Sequence, residues 1–151
     1  MDVTSRRISN ALQTAIRREE RTADVYKEKA RRAKQVQVKK VLEILAKQEI
    51  GHAKKLTAFL NEGLDASHLG RTAKAQASGL HVLSDDIRKI ERTTEVVSVL
   101  KRAILAEENS CGFYRSLEKI FKGAEVEILF SKLAEEEEVH KARLVATLAR
   151  I

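Results

Sequence analysis

The sequence predicts an all-α protein, a four-helix bundle of two duplicated helical hairpins joined by a long crossover. Three observations carry this expectation. The 151 residues include no proline and only six glycines, and 34% of them are charged; such a composition favours long helices over a sheet. Apolar residues recur at steps of three and four, the spacing of one helix face. The chain also repeats itself. A shift of 88 residues places Ala15-Ile16 on Ala103-Ile104, Glu19-Glu20 on Glu107-Glu108, Tyr26 on Tyr114 and Leu45-Ala46 on Leu133-Ala134. Glu49 and His52 then fall on Glu137 and His140 without a gap, so each half is one copy of a repeated unit.

The elements follow in order. The first helix carries Ile8, Leu12, Ala15, Ala23, Tyr26 and Ala30 on one stripe and is expected to start at Thr4 or Ser5, both good N-cap residues. The second uses Val38, Leu42, Leu45, Leu56 and Phe59 and is expected to stop near Gly63, a residue suited to the position just past a helix. The third starts near Thr93 or Thr94 and uses Val96, Leu100, Ala103, Cys111, Tyr114 and Leu117. The fourth uses Val126, Phe130, Leu133, Leu144 and Thr147 and runs nearly to Ile151. Turns are expected at Lys34-Gln35-Val36 and Lys122-Gly123-Ala124. The first has no strong breaker, so locally a continuous helix remains open there. One domain over 1–151 is expected: hairpin 1 at about 5–62, a crossover at about 63–92 with a short helix from Ser84, and hairpin 2 at about 93–150. A long connection has a geometric reason if it runs the length of a bundle.

The stripes are interrupted at informative places. Glu19 breaks the 15, 19, 23 series, Glu107 breaks the 103, 107, 111 series, and Glu49 with His52 and Glu137 with His140 replace core residues on the other two helices. Four carboxylates in one interior repel each other and are costly without compensation. Two divalent cations cancel their charge, and two neutral imidazoles complete the coordination. The geometry agrees. Antiparallel helices that present ligands at one level must turn midway between them, and those midpoints fall near residues 35 and 123. The site then lies about 15 residues, roughly 23 Å, from each turn.

Other polar residues take blander readings. Glu20 and Glu108 sit one step around the helix, at the surface or rim, and Glu135, Glu136 and Glu138 read as a solvated acidic face. Cys111 reads as a small buried hydrophobe, and His68 and His81 as incidental residues of the connection. Tyr26 and Tyr114, each seven residues after its Glu, have two open readings. Either they are core aromatics with a satisfied hydroxyl, or they bond a ligand carboxylate or exchange an electron with the site.

The net charge of +7 raises nucleic acid as a partner, but charge alone is weak support. Arg17, Arg18, Arg31, Arg32, Lys39 and Lys40 fit solvated helix faces, with no aromatic-basic interleaving. No apolar run approaches the roughly 18 residues of a membrane span. One cysteine, and an N-terminus without a secretory layout, lead to an expected cytoplasmic location.

These residues resemble a known pattern. Glu on one helix, Glu-x-x-His on the next, then both again, is the ligand set of ferritin-like di-iron carboxylate proteins. Ala15-Ile16-Arg17-Arg18-Glu19 with Tyr26, Leu45-Ala46-x-x-Glu49-x-x-His52, and Ala103-Ile104-x-x-Glu107 with Phe113-Tyr114 are similar to the rubrerythrin family. The resemblance covers both hairpins and leaves out the connection. It implies Glu19, Glu49, His52, Glu107, Glu137 and His140 as ligands of two iron ions, with manganese as the alternative metal. It further implies an oxidoreductase that uses hydrogen peroxide or dioxygen, works as a homodimer, and has Tyr26 and Tyr114 beside the centre. Two departures stand out. The sequence lacks the two Cys-x-x-Cys pairs of the family's rubredoxin domain, so an external, rubredoxin-like electron donor is expected. It also has Ser110 where the family places an extra carboxylate, which weakens a specific peroxidase expectation. A ferroxidase or iron-handling protein is the alternative function, and a metal-free helical interaction protein the third.

Overall fold

A computed structural model of the chain describes residues 2–63 and 89–151. Four long helices fill them: α1, Val3–Arg32; α2, Val36–Glu62; α3, Thr94–Ile120; and α4, Val126–Arg150. Among the described residues there is no strand. The expected crossover, its short helix from Ser84, His68 and His81 lie outside the described residues, apart from the crossover's two ends.

The helix ends follow local chemistry with one correction. α1 begins before Thr4 and Ser5, because Asp2 is the cap: its Oδ1 accepts the Ser5 N–H at 2.7 Å. A carboxylate also complements the positive end of the helix dipole, which a hydroxyl cannot match. The Ser5 hydrogen bond holds the Asp2 carboxyl below its ordinary value. α2 ends at Gly63, whose φ of 79° is left-handed and whose N–H donates to Phe59 O at 2.8 Å. Thr93 caps α3 through its side chain, which accepts the Val96 N–H at 3.1 Å.

The two turns are made differently. Between α1 and α2 the chain breaks at Ala33–Gln35, where Gln35 is extended. A tertiary contact accompanies that break: the Gln35 Nε2 donates to Glu91 O at 2.9 Å and its Oε1 accepts the Glu91 N–H at 2.8 Å. The end of the crossover is thereby pinned to the first turn. Between α3 and α4 the turn is local, with Gly123 at φ 89° and its N–H donating to Glu127 Oε2 at 2.7 Å. A Cβ at Gly123 meets nothing within 4 Å, so Gly123→Ala isolates the backbone cost. It is expected to destabilise the protein by about 1–2 kcal/mol, which lowers Tm by roughly 2–4 °C per kcal/mol. An unchanged melting curve would show that the turn relaxes to another conformation.

Each helix packs most closely on its hairpin partner, and the hairpins meet through α1 on α3 and α2 on α4. Two apolar clusters result. One joins Tyr26 and Ala30 to Leu42, Leu45, Leu100 and Leu144; the other joins Leu12 and Ala15 to Leu56, Tyr114, Phe130 and Leu133. The end of α1 thus meets the start of α3, so these two helices run antiparallel. Leu45 and Leu133, related by the duplication, are fully buried, and each contributes about 1.5–3 kcal/mol. The polar cluster lies between the two apolar ones.

Candidate metal centre

Glu19 on α1, Glu49 and His52 on α2, Glu107 on α3, and Glu137 and His140 on α4 are all buried, with at most 3% of any residue exposed. The Glu-x-x-His spacing places both groups on one side of a helix. The hairpin turns bring α1 level with α2 and α3 level with α4. All six expected residues therefore come together in the bundle interior. They form two overlapping groups whose ligand atoms lie within 4.8 Å of one another: Glu19, Glu49, His52 and Glu137 in one, Glu49, Glu107, Glu137 and His140 in the other. Glu49 and Glu137 belong to both groups.

The imidazoles stack, with centroids 5.7 Å apart and planes 6° from parallel. Both turn Nδ1 toward the carboxylates. His52 Nδ1 is 2.8 Å from Glu137 Oε1 and 3.5 Å from Glu19 Oε1; His140 Nδ1 is 3.6 Å from Glu107 Oε2 and 3.9 Å from Glu49 Oε1.

The tyrosines belong to the site. Tyr26 O–H donates to Glu107 Oε1 at 2.9 Å, and Tyr114 O–H donates to Glu19 Oε1. Each hydroxyl serves the carboxylate of the other hairpin. Helical side chains lean toward their own N-terminus. On antiparallel α1 and α3, Tyr26 and Glu107 therefore lean toward each other, while Glu19 leans away from Tyr26. Burial first, and then the facing carboxylates, push both phenols above their ordinary value, so they keep their protons and donate. Tyr114→Phe is expected to leave Glu19 Oε1 without its donor and to cost the metal-free protein about 1–3 kcal/mol. A denaturant midpoint that does not move would show that the hydroxyl contributes nothing.

One residue contradicts its sequence reading. Glu136 is not on a solvated face but fully buried. Its Oε2 stands 2.7 Å from His52 Nε2, and its Oε1 accepts from Lys55 Nζ at 3.0 Å. The signal was present in the spacing, since 133, 136, 140 and 144 continue the inward stripe of α4. The run of four glutamates masked it. Glu20 and Glu108 are exposed as expected, and Cys111 is half-buried.

The electrostatics divide the carboxylates. Burial, reinforced by neighbouring carboxylates, pushes Glu49 and Glu137 well above the ordinary range. Burial acts the same way on Glu107, but contacts with Glu137, His140 and Tyr26 outweigh it and hold Glu107 at about 2. Glu19 is also lowered: burial is overcome by His52, with Glu49 and Tyr114 assisting. Burial disfavours a charged His52, yet Glu19, Glu137 and Glu136 raise it well above its ordinary value.

Both oxygens of Glu49 and of Glu137, with Glu19 Oε2 and Glu107 Oε2, are buried and have no donor in hydrogen-bonding geometry, and Glu136 Oε2 and the ring nitrogens of His52 and His140 are likewise without a partner in such geometry. Each such orphan costs about 1–3 kcal/mol, more when charged. Six orphaned oxygens and two inward Nδ1 atoms are a donor set that cations satisfy, and oxygen-rich sites with imidazole suit iron or manganese.

A helical bundle with this buried Glu/His cluster fits a dinuclear carboxylate centre. The family model described as Rubrerythrin matches residues 10–81 and 98–151, and the chain belongs to the rubrerythrin family. That membership implies a di-iron carboxylate protein and, together with the buried cluster, suggests iron binding. Comparison with curated proteins and with solved structures found no significant match. Among the described residues, no helix is long and apolar enough to cross a membrane.

Proposed function

We propose that the chain is a non-haem di-iron oxidoreductase that reduces hydrogen peroxide or dioxygen. The observation that carries this reading is the pair of overlapping ligand groups sharing Glu49 and Glu137. These residues would hold two ions, iron in preference to manganese, and such a pair would supply the two electrons that reduction of a peroxide needs. The chain's own residues have distinct parts. Glu49 and Glu137, common to both groups, would be shared by the two ions. Glu19 with His52, and Glu107 with His140, would each complete the hold on one ion. Tyr26 and Tyr114 fix the orientation of Glu107 and Glu19 by donating to one oxygen and leaving the other free to ligate. The apolar clusters on either side keep bulk water out. An external rubredoxin-like protein is the proposed electron donor, and a cytoplasmic homodimer the proposed working form.

The test loads the protein with Fe(II) and supplies peroxide together with an electron donor. Sustained peroxide consumption at two irons per chain is the expected result. Rapid Fe(II) oxidation with iron retained well beyond that ratio, and no peroxide turnover, would overturn it in favour of a ferroxidase.

A further inference from the structure

We propose that Glu136, backed by Lys55, makes the two metal positions unequal, so that the one built on His52 binds its ion more tightly and fills first. This inference rests on the dinuclear reading above and concerns what lies behind the two imidazoles. Both rings offer Nδ1 to the carboxylates. A metal on Nδ1 leaves the single proton of a neutral imidazole on Nε2, where it needs an acceptor. For His52 a carboxylate stands within reach, with Glu136 Oε2 at 2.7 Å, although in the metal-free arrangement the two atoms are not aligned as a hydrogen bond. The Glu136 side chain is fully buried, and Lys55 Nζ, at 3.0 Å from its other oxygen, keeps it in place as an anion. An anionic acceptor behind an imidazole raises its basicity as a ligand and fixes its orientation, and removing such a partner typically costs 10–100-fold in metal affinity.

The duplication makes the comparison internal. Shifted by 88 residues, Glu136 corresponds to Gln48 and Lys55 to Arg143. Gln48 is a neutral amide with its Oε1 buried, so the half-site of His140 has no carboxylate at that position. The carboxylates that approach His140, those of Glu49, Glu107 and Glu137, all face its Nδ1. The ligand groups themselves are matched, one Glu, one His and the two shared carboxylates on each side. The asymmetry therefore lies in the support. Glu136 acts through His52 as a positioning residue, and the lower-affinity His140 position is the one that exchanges its ion.

The experiment titrates the metal-free full chain with Co(II) alone and follows stepwise binding by visible absorption and calorimetry. Crystals grown with one equivalent supply anomalous scattering to locate the ion. Two steps are expected, the first tighter by roughly 10–100-fold, with the first equivalent beside His52. Glu136→Gln should bring the first step down to the second and leave the second unchanged. Gln48→Glu, which leaves Glu136 intact, should tighten the second step and narrow the gap. Equal steps in the wild type, a first equivalent beside His140, or a gap unaltered by both variants would overturn the proposal. A wild type that binds no Co(II) would instead overturn the metal-centre reading on which it rests.

Discussion

Glu49→Gln is expected to abolish metal binding at both positions while making the metal-free protein more stable. Glu49 belongs to both ligand groups, so losing its charge damages both at once. The loss of affinity should exceed the roughly 100-fold that a supporting partner is worth. In the absence of metal the same carboxylate is a burden. It is fully buried, neither oxygen has a donor in hydrogen-bonding geometry, and its neighbours include Glu19 and Glu107. An isosteric amide removes the cost of burying that carboxyl among other carboxylates, a gain of about 1–3 kcal/mol or roughly 2–4 °C in Tm per kcal/mol. Metal analysis and thermal melting of the same preparation check both halves. Two ions bound with unaltered affinity would remove Glu49 from the ligand set, whatever the melting curve shows.

Metal loading is expected to raise Tm by a large amount, and the rise should grow with pH. An ion present at about 1,000 times its Kd contributes about 4 kcal/mol, which is roughly 8–16 °C for a chain of this size. The pH dependence follows from which carboxyls hold protons. Glu49 and Glu137 are raised in the metal-free fold. Their contribution to its stability is fully present below the unfolded carboxyl value near 4.5 and is lost as pH climbs through their raised values. His52, also raised, acts in the same direction above its unfolded value near 6.5. Glu107, held at about 2, behaves oppositely and loses its stabilising effect only as pH falls toward that value. Bound metal must displace the protons on Glu49 and Glu137, so affinity rises with pH as the metal-free fold weakens. Calorimetry in buffers of different ionisation enthalpy should register net proton release. A metal-induced Tm shift that is flat from pH 5 to 8 would contradict the assignment of those protons.

Much of this was legible before any coordinates. An offset of 88 residues exposed the duplication, the apolar stripes marked four helices, and the interruptions at Glu19, Glu49, His52, Glu107, Glu137 and His140 marked the cluster. All six are buried together. Periodicity succeeds here because helix phase converts spacing directly into direction. The misses came where one residue carried two signals. Glu136 has the inward spacing of α4 but sits in an acidic run, whose composition points to solvent while its phase points inward. At the start of α1, Asp2 lies further from the apolar pattern than Thr4 and Ser5 do, so periodicity alone does not point to it as the cap.

Residue spacing is enough to define the helices, the level at which the six interior side chains meet and the chemical type of the donor set. Those depend on spacing along one chain, which translation and rotation per residue fix. Features that depend on pairing between chain segments emerge only in the packed molecule. The break before α2 has no local breaker and carries a Gln35–Glu91 contact. Each tyrosine serves the carboxylate of the opposite hairpin, because α1 and α3 run antiparallel and their side chains lean toward one another. Glu136 stands behind His52 while its counterpart in the other half is the neutral Gln48. Two copies of one hairpin read as symmetric along the sequence; packed face to face, they support their two imidazoles differently.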